Sequence, residues 1–375
     1  MFDPCTNPAF LAALHAHALG RAYLRERDDR RQATGRQQTD FYERVWREAA
    51  DRLGATFEVL GSGIAEVRRG GARVRVFANA SPIDDPVTLA VARDKPLTYR
   101  LLRGQGLPVP RHARFSLKSF GDAVAFLQKT GGDCVVKPAT GDRNGRGITT
   151  GLRTRFQVAR AAAAASVDSE DLLIEEQIEG ENYRLLYLDG RLIDACCRRP
   201  PSVVADGRST VAELVFQANE ARRRYGSGLS RVLLTIDLDM SRTLAKQGLT
   251  PRSVPVEGAE VLLKTVVNEN CGADNTTATH RLCAEVIEAG ARAARATGVR
   301  LAGVDLITVD PDRPLEESGG AVLDVNTPPD FYFHYRKRDG AFPVAVHVLE
   351  RLLAPPADRL VFTRSSGRAF SQEAP

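Results

Sequence analysis

The feature that most constrains this chain is a short apolar strand, Cys134-Val135-Val136-Lys137, that runs into a glycine-rich loop and then into a second strand. Glycines stand at 141, 145 and 147, and Ile148-Thr149-Thr150-Gly151 follows with strand-like composition. A strand holds a lysine ammonium at a fixed point, and glycines let backbone N–H groups turn onto phosphate oxygens. The Walker loop and the dinucleotide fingerprint both lead into a helix. This loop leads into a strand, so neither describes it. A strand–loop–strand over phosphates makes a flap able to close on a nucleotide. By itself a glycine-rich loop is more often an ordinary surface turn, so the reading depends on what accompanies it.

The second element is acidic. Asp305 lies in Ala302-Gly303-Val304-Asp305, and Asp324 and Asn326 lie in Val322-Leu323-Asp324-Val325-Asn326. Alternation along a strand puts residues 324 and 326 on one face, where both oxygens can reach a hard cation. Asp305, on a neighbouring strand, completes a magnesium site. Either acid alone reads as a strand-end cap; acids on two apolar strands, with an asparagine two residues on, read as a cation site.

Around these elements the chain divides. Two helices open it, one from Asn7-Pro8 with Phe10, Leu11, Leu14, Leu19 and Leu24, the other from Asp40-Phe41 with Val45, Trp46 and Leu53. The polar stretch Arg25–Thr39 reads as a loop or frayed end. Strands Phe57–Leu60, Ile64–Arg68 and Arg73–Phe77 complete a small N-terminal lobe, residues 1–93. Residues 94–170 hold the Pro96–Arg103 helix, a helix at Ser119–Lys129, the Lys137 strand and its loop. Residues 171–354 carry strands Leu172–Gln177, Tyr183–Leu188 and Arg191–Arg198, the last two turning at Asp189-Gly190. Next come a capping box at Thr210–Glu213, a strand at Val261–Val267, a long helix at Thr279–Thr297, strands Leu301–Val309 and Ala321–Val325, and a helix at Val344–Leu353. Residues 355–375 read as a loose tail.

Composition narrows the class. With 375 residues, 43% apolar and 26% charged, the chain is long enough for several packed layers and ordinary for a globular protein. No run is long enough to span a membrane, and the start lacks a signal-peptide pattern, so a cytoplasmic protein is expected. Six cysteines without a CxxC pair indicate neither a zinc site nor a disulfide framework. The net charge is +5, and only seven of the 52 basic residues are lysines. No basic stripe or binding module accompanies that charge, which argues against a nucleic-acid partner.

The ordered motifs are together recognisable. Asp94-Lys95-x-Leu97-Thr98-x-x-Leu101-Leu102 precedes Leu107-Pro108-Val109-Pro110, and Val135-Val136-Lys137-Pro138 carries the glycine loop. Glu175-Glu176-Gln177-Ile178, Tyr183-Arg184, Arg198-x-Pro200-Pro201-Ser202-Val203-Val204-x-Asp206-Gly207 and Gly303-Val304-Asp305 with Asp324-Val325-Asn326 follow in order. From Asp94 to Leu353 the sequence resembles the ATP-grasp superfamily, most closely the ATP-grasp module of cyanophycin synthetases and of bifunctional glutathione synthetases. The resemblance implies an α+β ATP-grasp fold, two lobes clamping ATP, behind a small N-terminal lobe. It implies an ATP-dependent carboxylate–amine ligase acting on amino acids or peptides through an acyl phosphate.

The resemblance also assigns roles. Lys95 and Lys137 would hold ATP phosphates under the Gly141–Gly147 lid, which includes Gly145. Glu176, Gln177 and Ile178 would read adenine through the backbone, and Asn182 would stand at the ribose. Arg184 and Arg198 would face the transferred phosphate, and Asp305, Asp324 and Asn326 would bind magnesium or manganese. Four departures stand out: Asp324 for the usual Glu, Asn182 for the ribose acid, Cys271-Gly272-Ala273-Asp274 for a Thr-Gly-Gly-Thr loop, and Pro329-Asp330 for a Pro-Gly turn. The alternatives are a modifier that adds an amino acid to a peptide or protein end, and a nucleotide-binding protein that has lost turnover. A homodimer is compatible with this size.

Overall fold

A computed structural model describes residues 6–26, 30–140, 147–224, 233–267 and 275–355. Gly141, Gly145, the Cys271–Asp274 loop and most of the expected tail lie outside the described residues. The chain begins with α1 (Pro8–Glu26), α2 (Arg30–Arg52), β1 (Thr56–Gly61), β2 (Ile64–Arg69) and β3 (Ala72–Phe77). Next come α3 (Pro86–Arg93), α4 (Lys95–Gly104), β4 (His112–Phe115), α5 (Phe120–Thr130), β5 (Cys134–Pro138), β6 (Thr149–Leu152) and α6 (Arg155–Ala165). The middle holds β7 (Leu172–Glu176), β8 (Glu181–Leu188), β9 (Arg191–Arg198), β10 (Ser202–Val204), α7 (Val211–Arg224), α8 (Leu238–Lys246), β11 (Glu260–Leu262) and β12 (Thr276–Thr277). The last part is α9 (Ala284–Thr297), β13 (Leu301–Thr308), α10 (Leu315–Ser318), β14 (Ala321–Asn326), α11 (Tyr332–Tyr335) and α12 (Val344–Leu353).

Every strand pairing in the described sheets is antiparallel, as the α+β expectation requires. The sheets run β1-β2-β3, β4-β7-β5-β6, β12-β9-β8-β13-β14 and β10-β11. The β8–β9 hairpin turns where expected. Asp189 and Gly190 both take positive φ, 49° and 78°, which suits a two-residue hairpin loop.

The five-stranded sheet has two unlike faces. Tyr183, Leu185 and Tyr187 of β8, Val304 and Leu306 of β13 and Val325 of β14 point one way, into a core shared with α9. A buried apolar side chain of this size contributes roughly 1.5–3 kcal/mol, which ties the helix to the sheet. The other face is polar where the site lies. Towards one end it turns apolar, where Leu186, Cys196 and Phe331 meet Trp46, Val67 and Val344.

Residues 1–93, expected as one lobe, are divided. Leu11 of α1 joins the core of the four-stranded sheet with Phe120, Val158 and Ile174. α2 and the three-stranded sheet instead pack on α12 and the aromatic residues after β14, with Trp46 edge-on to Phe331 at 5.4 Å. α2 also begins at Arg30, ahead of the expected Asp40. The residues before Asp40 are rich in Arg and Gln, which favour helix without giving it an apolar period.

Two further expectations are corrected. The strand expected at Val261–Val267 ends at Leu262: Leu263 N still donates across to Pro201 O, but a proline has no N–H to continue the ladder, and the Lys264 side chain turns to Asp237. The helix expected from Thr279 is a 3₁₀ turn, Thr279–Arg281, and then α9. Thr279 Oγ1 accepts from Ala195 N and Cys283 N donates to Pro311 O, which breaks the run.

Candidate functional site

Cross-strand register assembles the site. Asn182 of β8 lies opposite Arg198 of β9, and Arg184 of β8 opposite Asp305 of β13. Asp305 in turn lies opposite Asp324 of β14, and Gly303 opposite Asn326. Directly opposed residues share a face, so Asn182, Arg184, Arg198, Asp305, Asp324 and Asn326 all project from the polar side.

Two carboxylates opposed across a strand pair repel, and cations separate them here. Arg184 donates to both oxygens of Asp305, Nε to Oδ1 at 2.5 Å and Nη2 to Oδ2 at 2.8 Å. Lys95, at the first turn of α4, donates to Asp324 Oδ2 at 2.5 Å. The Asn326 amide donates to Asp305 Oδ2 at 3.0 Å and to Gly303 O at 3.2 Å. Burial disfavours the Asp305 charge, but Arg184, Arg198 and Asn326 outweigh it and hold its carboxyl below the usual range. Arg198 fares differently. Burial, and then the like charge of Arg184, push its guanidinium down to about 10. Its carbon lies 4.3 Å over the Phe333 ring, it donates to Val267 O at 3.2 Å, and among the described residues its Nε has no acceptor.

Gly303 is required by this packing. A Cβ there would stand 2.9 Å from Arg184 Nη1 and 3.0 Å from Pro329 Cβ. The glycine lets the arginine cross the strand beside the Pro329 turn.

The four-stranded sheet supplies Lys137. Register puts Lys137 opposite Leu173 and Glu175 opposite Val135, so lysine and glutamate are diagonal neighbours on one face. Lys137 Nζ meets Glu175 Oε1 at 2.7 Å and donates to the Tyr99 hydroxyl at 2.9 Å. That hydroxyl reaches Glu175 Oε2 at 3.1 Å and, on β14, Leu323 O at 3.0 Å. Tyr99 therefore links the two sheets beside the Lys95–Asp324 pair. Lys95 N also donates to Ala139 O at 3.1 Å, where the chain passes between them.

No family model matches the chain. Cyanophycin synthetase from Trichormus variabilis is 33% identical over 253 residues, 67% of this chain and 28% of that protein. The bifunctional glutathione biosynthesis protein of Streptococcus thermophilus is 30% identical over 272 residues, 71% of this chain and 36% of that protein. Among solved structures, a bifunctional glutathione synthetase from Pasteurella multocida superposes with a TM-score of 0.51 at 25% identity, covering 80% of this chain and 41% of that one. The chain belongs to the ATP-grasp superfamily. It spans about a third of the length of the curated relatives it matches.

On the ATP-grasp frame most expected residues converge and a few do other work. Lys95, Arg184, Arg198, Asp305, Asp324 and Asn326 gather on the sheet face, with Asn182 half-buried beside them. Gly147 is an anchor, since a Cβ there would stand 3.2 Å from Pro138 and 3.3 Å from Ala165. The Glu176 side chain holds Arg111, at 2.8 Å to its N–H and 2.6 Å to Nε, and Gln177 Oε1 accepts from Gly151 N at 2.7 Å. Their own N–H groups go to Arg111 O and Asp133 O. Ile178, just beyond β7, is half-buried.

Sequence reasoning missed Tyr99 and Glu175 as site residues. Tyr99 is one helical turn from Lys95, a spacing that places both on one face of α4 and was readable. Glu175 became visible only with the pairing of β5 and β7. It also missed a buried cluster on β9: Asp194 accepts from His334 Nδ1 at 2.7 Å and from Lys337 Nζ at 2.8 Å. Burial pushes the His334 imidazole below its ordinary value despite Asp194. Among the described residues no three His, Cys, Asp or Glu side chains form a metal cluster, and no helix is long and apolar enough to cross a membrane.

Proposed function

We propose that the chain is an ATP-dependent carboxylate–amine ligase that activates an amino-acid or peptide carboxylate as an acyl phosphate. The observation that carries the reading is the one polar face holding Arg184, Arg198, Asp305, Asp324 and Asn326, with Lys95 and Lys137 at its edge. ATP is the substrate whose phosphates these cations would bind. Lys95 and Lys137 would hold the phosphate chain, and the Gly141–Gly147 loop would cover it. Glu176, Gln177 and Ile178 would border adenine, and Asn182 the ribose. The working lobes would be residues 94–170 and 171–354.

A carboxylate oxygen of the acid attacks the γ-phosphorus, the bond to the β–γ bridging oxygen breaks, and ADP leaves. Arg184 and Arg198 stabilise charge on the transferred phosphoryl oxygens, fixed in place by Asp305 and the Phe333 ring. The amine then attacks the activated carbonyl, phosphate departs with the C–O electron pair, and the amine loses a proton. Holding the two reactants together supplies much of the acceleration, and excluding water protects the anhydride.

The donors also fit magnesium. Two carboxylates and one amide oxygen on a single face form an oxygen-only set of the kind hard divalent cations take. Their present partners are cations or amide donors, which mark the places where positive charge is favoured. Bound there, the ion would neutralise phosphate charge.

The test is product analysis with ATP, magnesium and pairs of amino acids. ADP and phosphate should appear together with an amide product, and hydroxylamine in place of the amine should trap a hydroxamate. Release of AMP and pyrophosphate would rule the mechanism out.

A further inference from the structure

The turn after β14 is held by the N-terminal segment, from three separate places. The Tyr42 hydroxyl donates to Asp330 Oδ1 at 2.6 Å and accepts from Phe331 N at 3.2 Å. Asn79 Nδ2 donates to Pro328 O at 2.9 Å and to Pro329 O at 3.2 Å. Thr327 Oγ1 donates to Asp84 Oδ2 at 2.7 Å. So firm a grip fixes where the turn presents its side chains. Pro329 sits beside Arg184 over Gly303, so the turn borders the site.

Asp330 and Arg198 both have unused hydrogen-bonding capacity here. Asp330 is half-buried, and Oδ1 also accepts from Tyr332 N at 3.0 Å. Oδ2 has no partner among the described residues. Arg198 is 3% exposed, and among the described residues its Nε lacks an acceptor. The two side chains are near enough for the Asp330 charge to favour the Arg198 cation. Yet among the described residues Arg198 makes its ion-pair contact with Asp305, at 3.7 Å, and none with Asp330. Among the described residues, a buried donor without an acceptor and a fixed carboxylate oxygen without a donor thus lie near one another, beside the Arg184–Asp305 pair. The buried Nε is costly to leave unpaired, and the half-buried Asp330 carboxylate presents a negative charge beside it. A ligand carrying both a carboxylate and an ammonium satisfies both.

We propose that Asp330 binds the ammonium of the acid substrate, a free amino acid whose reacting carboxylate faces Arg198. This rests on the ligase reading and narrows its substrate class: the acid partner carries an unblocked amine. Tyr42 is a positioning residue that keeps Oδ1 occupied and so orients Oδ2. Asp330 stands where the resemblance leads one to expect glycine, so the contact is a property of this chain.

The experiment uses the full chain with ATP, magnesium and hydroxylamine, reading ADP and hydroxamate. The acids are the free amino acids, their N-acetyl derivatives and the corresponding acids lacking the amine. Free amino acids should exceed their blocked and deaminated counterparts on the order of tenfold or more in kcat/KM, the scale of one hydrogen bond to a charged group. Asp330→Asn keeps an oxygen for Tyr42 and Tyr332 N but removes the charge. It should raise KM for the best amino acid on the order of tenfold, change kcat by less than about threefold, and abolish the preference for an unblocked amine. Tyr42→Phe should shift KM the same way by less.

Equal use of blocked and free acids by the unaltered protein would overturn the assignment. An unchanged KM and preference in Asp330→Asn would also overturn it and leave Asp330 as a turn residue. Absence of ADP with every acid would overturn the ligase reading itself, a result distinct from either.

Discussion

Two lysines expected on phosphate each rest on a carboxylate, but in unlike surroundings. The side chains of Lys137 and Glu175 are 7% and 6% exposed, and Tyr99 closes the group. Those of Lys95 and Asp324 are 15% and 19% exposed, at the edge of the polar face. The first pair is a buried unit in which neither charge can be removed alone without leaving the other desolvated. The second can open with water in attendance, and its carboxylate belongs to the candidate metal set. On the proposed function, stability and phosphate binding would therefore be combined in Lys137 and nearly separate in Lys95.

The most damaging change should be Lys137→Ala. ADP formation should fall on the order of a hundredfold or more, as when a preorganised charge is removed. Stability should fall by about 3 kcal/mol in denaturant titration, because the Glu175 charge remains buried with the Tyr99 hydroxyl but without its counter-charge. Pairing Lys137→Met with Glu175→Gln should restore much of the stability and none of the activity. Lys129→Ala, on the exposed side of α5, should change neither. Loss of activity from Lys137→Ala with unchanged stability would break the contrast between the two lysines.

Lys95→Ala should lower activity on the order of tenfold through a lost phosphate contact and cost less than about 1 kcal/mol of stability. The same two measurements check it. A stability loss equal to that of Lys137→Ala would make the two pairs equivalent after all.

Asn326→Ala sharpens the Lys95 side of the comparison. Removing one oxygen from the set should raise the magnesium needed for half-maximal ADP release by about tenfold. Asp324→Glu should be tolerated if the carboxylate has room to lengthen. A severe defect there would mean that the pocket is built around the shorter acid and its Lys95 contact.

The smallest effect expected is from Gly147→Ala. Its φ of 76° and the nearness of Pro138 and Ala165 should cost about 1 kcal/mol on substitution, with the magnesium requirement unchanged. A shifted magnesium requirement would connect this anchor to the Lys95 side.

Local signals were legible where they were strong. Thr210 and Glu213 form the reciprocal cap that their spacing announces, and α12 and β9 have the bounds read from sequence. α6 was passed over although Thr154 and Gln157 make the same kind of cap. Its alanine run, Ala161 to Ala165, has no apolar period to detect, because nearly all of it is buried. α1 was recognised as a helix, but nothing local says that it packs beside α6 and apart from α2.

The sequence by itself determined that Asp324 and Asn326 share a face, because strand alternation fixes it, and so proposed them as oxygen donors for a hard cation. It also carried enough ordered motif to name the superfamily. Tertiary structure alone decided the partners: Glu175 under Lys137, Arg184 across Asp305, and Tyr42 on an Asp330 that lies 288 residues away. Alternation and helical spacing act over a few residues, whereas cross-strand register and lobe packing are set by burial of the whole core. Which charges neutralise one another follows from that packing and cannot be read from local spacing.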